Sequence, residues 1–201
     1  MKEKKNKKAK PGRLILKVDG KENSRAGLNT LISLAEESFR TGRYTLAIEY
    51  CGQIAELAEI FKIDEIAVQA YYIMCLATLK LKLYADAEKI CATAREKLGD
   101  YLDLAYFRLL INAVRGDTFK IPDLALEFIE IYDKSAVNPD PAKIRTCRKI
   151  GEVLLMWGQA LEELGEPEEA VTIYEKYVEL YPDDKGVASR IAQLMPSATD
   201  N

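Results

Sequence analysis

The residues of this chain best suited to chemistry are four cysteines, Cys51, Cys75, Cys91 and Cys147. Thiolates can bind metals or pair in disulfides, and metal sites are usually marked by short Cys-x-x-Cys spacings. Here the cysteines are scattered, and Cys51 and Cys91 fall on the apolar side of a helical pattern. We therefore favour buried, reduced thiols that pack as small apolar groups over metal or disulfide use. Reduced thiols predict a reducing, cytoplasmic location.

Histidine is absent from the sequence, which removes the usual general base and the commonest zinc ligand. The chain also has no glycine-rich phosphate loop, no Gly-x-Ser-x-Gly motif and no pair of carboxylates in an apolar setting. The adjacent acids Glu162-Glu163 and Glu168-Glu169 are most simply solvated helix faces. We therefore expect neither catalysis nor a bound metal or cofactor.

Charge divides the chain into a basic arm and an acidic body. Residues 1–25 hold ten basic and three acidic residues, whereas the rest of the chain holds 19 basic and 29 acidic residues. We predict a largely disordered arm at 1–23 and a helical domain at 24–201. Six lysines of the arm could attract RNA, the ribosome or an anionic surface, or could serve only as a solubilising tail: Lys2, Lys4, Lys5, Lys7, Lys8 and Lys10.

One segment of the arm, RLILKVDGK at 13–21, is more apolar than the rest. Its apolar run stops at Asp19-Gly20, a turn signal, which predicts a short extended segment that lies against the body or waits for a partner. Its apolar stretch is too short for a secretory signal peptide. The chain has no run of about 18 apolar residues, so no transmembrane helix is expected.

Apolar residues recur at spacings of three and four from residue 24 onward, which is the period of helices that bury one face. Gly99, Gly116 and Gly165 follow the ends of predicted helices, where a residue without a side chain most easily adopts the left-handed conformation. Asp64, Asp100 and Asp140, which precedes Pro141, are predicted helix N-caps. We predict an all-α body with helices near 25–41, 44–61, 64–81, 84–98, 101–115, 122–135, 141–164, 167–181 and 184–194.

Every second helix opens with the same short pattern, a tyrosine or proline followed three residues later by alanine. The four copies are Tyr44-x-x-Ala47, Tyr84-x-x-Ala87, Pro122-x-x-Ala125 and Pro167-x-x-Ala170, at separations of 40, 38 and 45 residues. A small residue early in the second helix lets the preceding helix approach closely, and larger residues farther on fill the seam. Each helical hairpin buries only part of its apolar surface, so neighbours must stack to complete the core.

This pattern resembles the tetratricopeptide repeat, a helix-turn-helix unit of about 34 residues, over roughly residues 28–184. The third copy departs from it through a lengthened turn and the lack of a clear small residue in its first helix. The resemblance implies a right-handed α-solenoid of about four helical hairpins, with residues 185–194 as a C-terminal capping helix. The alternative is an α-hairpin bundle or another solenoid class. The copy at 151–184 matches most fully, at Trp157-Gly158, Leu161, Gly165, Ala170, Tyr174 and Pro182.

The resemblance further implies a non-enzymatic scaffold or adaptor whose first helices line a concave protein-binding groove. A trough with an apolar centre and an acidic far end suits an amphipathic helix, or an extended segment with apolar anchors and some basic residues. The alternative is that an extra helix or residues 13–21 of the same chain cover this face and leave no open groove. The predicted lining is Ile32, Glu36, Phe39, Tyr72, Leu76, Leu79, Phe107, Ile111, Val114, Leu155, Gln159 and Glu162.

Overall fold

Helical hairpins follow one another along the chain in the computed structural model, which describes residues 21–137 and 149–195. No strand occurs in these two ranges. The first hairpin is α1 (Lys21–Arg40) with α2 (Tyr44–Phe61), and the second is α3 (Asp64–Lys80) with α4 (Tyr84–Leu98). The third hairpin is α5 (Leu102–Arg115) with α6 (Ile121–Val137), the fourth is α7 (Ile150–Leu164) with α8 (Pro167–Leu180), and α9 (Lys185–Leu194) follows them.

The helices begin and end within four residues of the predicted bounds wherever both ends are described. At the start of the chain, α1 begins at Lys21, so residues 21–23, which the sequence assigned to the arm, are helical. The rest of the arm, with its lysines and most of the segment at 13–21, lies outside the described residues. The first part of the helix predicted at 141–164 also lies outside them, and the described part begins at Ile150.

The alanine in the first turns of each second helix is buried, as predicted. Ala47, Ala87, Ala125 and Ala170 are all fully buried. A side chain no larger than a methyl group lets the two helices of a hairpin approach closely, so these alanines set the spacing within each pair. The prediction of a small, buried residue at this position is confirmed in all four hairpins.

The core runs along the stack as a series of clusters, each shared between neighbouring hairpins or between the last hairpin and α9. One cluster joins the first two hairpins and reaches Leu104 in α5, and another brings Phe107 and Ile111 of α5 against Cys75 of α3. A third cluster joins α5 and α6 to α7, and the last joins α7 and α8 to Val187 of α9. Because each cluster includes residues of a neighbouring hairpin or of α9, each hairpin depends on its neighbours for stability.

All four first helices end in the same turn. A left-handed residue follows each helix, namely Gly42, Lys82, Gly116 and Gly165, with φ of 75°, 59°, 77° and 81°. The next residue donates its backbone N–H to a carbonyl five positions earlier, which is the hydrogen bond of a Schellman motif. These bonds join Arg43 to Ser38, Leu83 to Thr78, Asp117 to Asn112 and Glu166 to Leu161, at N···O distances of 2.8–3.0 Å.

Two of the predicted N-caps, Asp64 and Asp100, are wrong, and the third, Asp140, lies outside the described residues. Asp64 is the first residue of α3 and follows Ile63 at the cap position, while Asp100 lies before the cap residue Tyr101 and accepts a hydrogen bond from Arg95. The side-chain cap found in the described residues is Asp184, which accepts from the backbone N–H of Gly186 and Val187 at 3.0 and 3.4 Å.

Candidate functional site

The shared turn fixes which residues of the first helices lie on a common face. In α1, α3 and α7, the predicted lining residues stand ten, six and three positions before the left-handed residue of the turn. In α5, the same count from Gly116 gives Tyr106, Leu110 and Ala113. The three predicted residues, Phe107, Ile111 and Val114, are each one position later. The predicted lining of α5 is therefore one residue out of register.

Burial agrees with this correction. Phe107 and Ile111 are 1% and 0% exposed, and they pack with Cys75 and Cys91 in the core between the second and third hairpins. The Phe107 ring lies edge-on to Tyr72, with 4.9 Å between ring centroids. Neither residue offers surface to a ligand, so both are core residues. Val114 is exposed, but it is offset from the shared face.

The face shared by the first helices is apolar in the middle. Ile32 is buried and Phe39 is partly buried at the first hairpin, where Glu36 is exposed. Toward the other end, Gln159 is exposed and Glu162 is partly buried. Between them lie six partly exposed apolar side chains, which we call the groove centre: Tyr72, Leu76, Leu79, Leu110, Ala113 and Leu155.

Hydrogen bonds between successive first helices run across this face. The Gln69 side chain of α3 donates to Glu36 of α1 at 3.1 Å. The Tyr106 hydroxyl of α5 donates to Glu152 of α7 at 2.5 Å. These contacts place the first helices side by side.

A polar cluster joins the third and fourth hairpins beside the groove centre. Lys149 Nζ lies 2.9 Å from both Glu152 carboxylate oxygens, 3.3 Å from the Tyr106 hydroxyl and 4.6 Å from the centre of the Tyr106 ring. Burial, together with the hydrogen bond to Glu152, raises the pKa of Tyr106 to about 12. Burial opposes ionisation of Glu152, but hydrogen bonds from Tyr106 and Lys149 lower its pKa overall. Lys149 therefore compensates the charge of Glu152.

The far end of the face is less acidic than the sequence suggests. Glu162 forms an ion pair with Arg190 of α9 and accepts a hydrogen bond from the Tyr174 hydroxyl at 2.6 Å. The Arg190 hydrogen bonds lower the pKa of Glu162, against the effect of partial burial, and Tyr174 adds to the lowering. The Glu162 carboxylate thus ties three helices together instead of standing free. The neighbouring Glu163 is exposed and accepts a hydrogen bond from Thr118 at 2.8 Å.

The lengthened turn of the third hairpin forms a surface cleft of about 420 Å³. A one-turn 3₁₀ helix, Thr118–Lys120, occupies this turn and holds the Phe119 side chain 84% exposed. The cleft lies between this turn and the end of α7 at Glu163 and Leu164. It borders the far end of the groove without belonging to the groove centre.

Cys51, Cys75 and Cys91 are buried in the helical core, as predicted, and Cys147 lies outside the described residues. Within the described ranges, no cluster of three or more Cys, Asp or Glu side chains is arranged to hold a metal ion. No helix in those ranges has the length and apolar character needed to cross a membrane.

Residues 151–194 match the sequence model of the Tetratricopeptide repeat family. The chain carries a tetratricopeptide repeat. The matched segment covers the fourth hairpin from Gly151 onward together with α9. No curated protein matches the chain.

The fold of the chain is similar to solved structures. Two MamA structures, one of a mutant and one of MamA AMB-1, each cover 85% of this chain and are 16% identical to it. The chain covers 87% and 81% of them, with TM-scores of 0.55 and 0.57. TTC0263, a thermophilic tetratricopeptide repeat protein of Thermus thermophilus, covers 83% of the chain at 16% identity, with 98% of its own length covered and a TM-score of 0.45. The tetratricopeptide resemblance is confirmed at residues 151–194, and the all-α solenoid is confirmed for the fold.

Proposed function

We propose that the chain is a non-enzymatic protein-binding scaffold that holds a helix or an extended peptide against the groove centre. The observation that carries this proposal is the set of six partly exposed apolar side chains on the face common to the first helices. Partly exposed apolar side chains on one continuous face gain free energy when a ligand covers them. The tetratricopeptide repeat at 151–194 supports the same function, because repeats of this kind present extended concave surfaces for binding.

The charges that flank the groove centre favour a ligand with apolar anchors. Lys149 compensates Glu152, and Arg190 compensates Glu162, so two of the carboxylates on this face are already paired within the chain. Glu36 remains exposed on the face, whereas Glu163 is exposed beside its far end, at the offset position that Val114 holds in α5. A basic residue on the ligand gains only a modest interaction with such solvated carboxylates. Affinity should therefore come mainly from apolar contacts, and it should change little with salt concentration.

A displayed peptide library selected against the full chain tests this function. The selected peptides should carry apolar residues at the spacing of one helical face or at alternate positions of an extended segment. Their affinity for a Leu76→Asp variant should fall by at least about tenfold, because a buried carboxylate facing an apolar anchor costs more than about 1.4 kcal/mol.

The matched control is Ile60→Asp, which makes the same change at a side chain of α2 that is 71% exposed and outside the groove. Circular dichroism should confirm that both variants are folded. The proposal predicts that Ile60→Asp binds the selected peptides as the unchanged chain does. Equal binding by Leu76→Asp, or a loss confined to Ile60→Asp, would place recognition outside the groove.

A further inference from the structure

Two thiols meet where the helices of the second hairpin cross. Cys75 Sγ of α3 lies 3.3 Å from Cys91 Sγ of α4, and both side chains are completely buried. Their neighbours in the core are Ala87, Phe107 and Ile111, none of which offers a polar partner. The two thiols lie within hydrogen-bonding distance of each other.

The repeat explains why the thiols are so close. Cys75 stands seven positions before the left-handed Lys82, and Cys91 stands four positions after Ala87. The equivalent residues of the fourth hairpin are Gly158 and Tyr174, and these touch: a Cβ placed on Gly158 would lie 2.4 Å from the Tyr174 ring. The second hairpin thus has its two cysteines in contact at the equivalent positions of its two helices.

We propose that Cys75 and Cys91 are a disulfide-forming pair that cross-links α3 to α4 by exchange with a small disulfide such as oxidised glutathione. One protein thiolate attacks the small disulfide, forms a mixed disulfide and releases one glutathione thiolate. The second protein thiolate attacks the protein sulfur of the mixed disulfide and releases the second glutathione. Two protein thiols are oxidised and one glutathione disulfide is reduced, with the two thiol protons passing to the released glutathiones or to solvent.

The folded hairpin protects the pair until it opens. The S–H···S contact and burial both raise the pKa of Cys75, so the thiol is protonated at neutral pH. A protonated, buried thiol is a poor nucleophile, so exchange requires transient separation of α3 from α4. Cys51 differs, because the equivalent position across its hairpin is Ala35, which has no sulfur. Cys51 should therefore form no disulfide within its own hairpin.

The test is equilibration of the full chain with oxidised and reduced glutathione, at a urea concentration below the unfolding transition so that the hairpin opens. Thiols are then blocked and peptides mapped by mass spectrometry. Mass spectrometry should detect a linked Cys75–Cys91 peptide and a protein that is lighter by two hydrogens. The Tm should rise by several degrees, and dithiothreitol should return it to the value of the reduced protein. A Cys147→Ala variant should give the same product, whereas Cys75→Ala should give only a glutathione adduct at Cys91.

Three results would overturn the proposal. They are glutathione adducts at Cys75 or Cys91 of the unchanged chain without a linked peptide, a disulfide that joins either residue to Cys51 or Cys147, and no oxidation under these conditions. The readout is independent of ligand binding, so it succeeds or fails separately from the function proposed for the groove.

Discussion

The ring of Tyr174 occupies the space where a side chain at Gly158 would stand. A Cβ on Gly158 would lie 2.4 Å from Cε1 and 2.7 Å from Cζ of this ring, closer than real Cβ contacts occur. The glycine lets α7 and α8 approach until the Tyr174 hydroxyl reaches Glu162 at 2.6 Å. The fit between these residues holds the fourth hairpin closed.

Gly158→Ala should destabilise the protein. Overpacking of a close contact typically costs about 1–3 kcal/mol, which outweighs the roughly 1 kcal/mol that alanine gains over glycine in a helix. Urea unfolding followed by circular dichroism would measure the loss in the free energy of unfolding.

The matched control for this substitution is Gly52→Ala. Gly52 also lies inside a helix, α2, but a Cβ there meets nothing within 4 Å. Alanine should therefore raise the free energy of unfolding by up to about 1 kcal/mol. If the two substitutions changed stability in the same direction, the close fit at Gly158 would not be the cause.

Lys82→Gly should stabilise the protein. Lys82 occupies the left-handed position that glycine holds in the other three turns, with φ of 59°. The left-handed conformation costs a residue with a side chain roughly 1–2 kcal/mol of folding free energy, and glycine avoids this cost. Part of the benefit is lost because glycine has greater conformational freedom in the unfolded chain. A net gain of about 0.5–1 kcal/mol is expected in thermal or urea unfolding.

The reverse change provides the check on Lys82. Gly42→Ala places a side chain at the same turn position, φ of 75°, where nothing lies within 4 Å of the new Cβ. A loss of about 1 kcal/mol is expected, and it would come from the backbone alone. Unchanged stability in both variants would show that the turn conformation carries no such cost.

Phe107→Ala should mainly lower the free energy of unfolding, whereas Leu110→Ala should mainly weaken peptide binding. Phe107 is a core residue, so its truncation should cost about 3–5 kcal/mol. Leu110 is partly exposed on the groove, so its truncation should cost less while weakening peptide binding. Urea unfolding and peptide titration on both variants would measure this. If Leu110→Ala were the more damaging to stability, the corrected register of α5 would be wrong.

The sequence alone was sufficient to predict the hairpins, because buried alanines such as Ala47 and Ala170 recur at nearly constant spacing. The sequence was insufficient to predict the groove-facing residues of α5, the first helix of the third hairpin. Leu109 occupies the position at which the other hairpins have a small residue, so the register of α5 is not evident. Gly116 was the available signal, since counting back from the turn glycine gives the correct face. The pairing of Glu162 with Arg190 depends on where α9 packs, which local periodicity does not determine.

The ion pair of Glu162 should make stability depend on pH. The folded-state pKa of Glu162 is lowered from its ordinary value near 4.5, so its contribution is present above that value and is lost as the pH falls through the lowered pKa. The unchanged chain should exceed Glu162→Gln in free energy of unfolding at neutral pH, and this difference should shrink in acid. Urea unfolding across the acidic range would measure it.

Removal of Arg190 separates the causes of this pH dependence. The hydrogen bonds from Arg190 are the largest cause of the lowered pKa of Glu162, ahead of the opposing effect of burial and the contribution of Tyr174. In an Arg190→Gln background, the loss of stability caused by Glu162→Gln should therefore vary less with pH. A pH dependence as large as in the unchanged chain would assign it to other groups.

Methyl NMR of the full chain during titration with a selected apolar peptide tests the proposed binding groove most directly. The largest shift changes are predicted at Leu76, Leu79, Leu110 and Leu155, which lie in the groove centre. Ile60 and Leu180, which are exposed outside it, should not shift. Shifts concentrated at Ile60, at Leu180 or around the Phe119 turn, with the groove centre unchanged, would contradict the account.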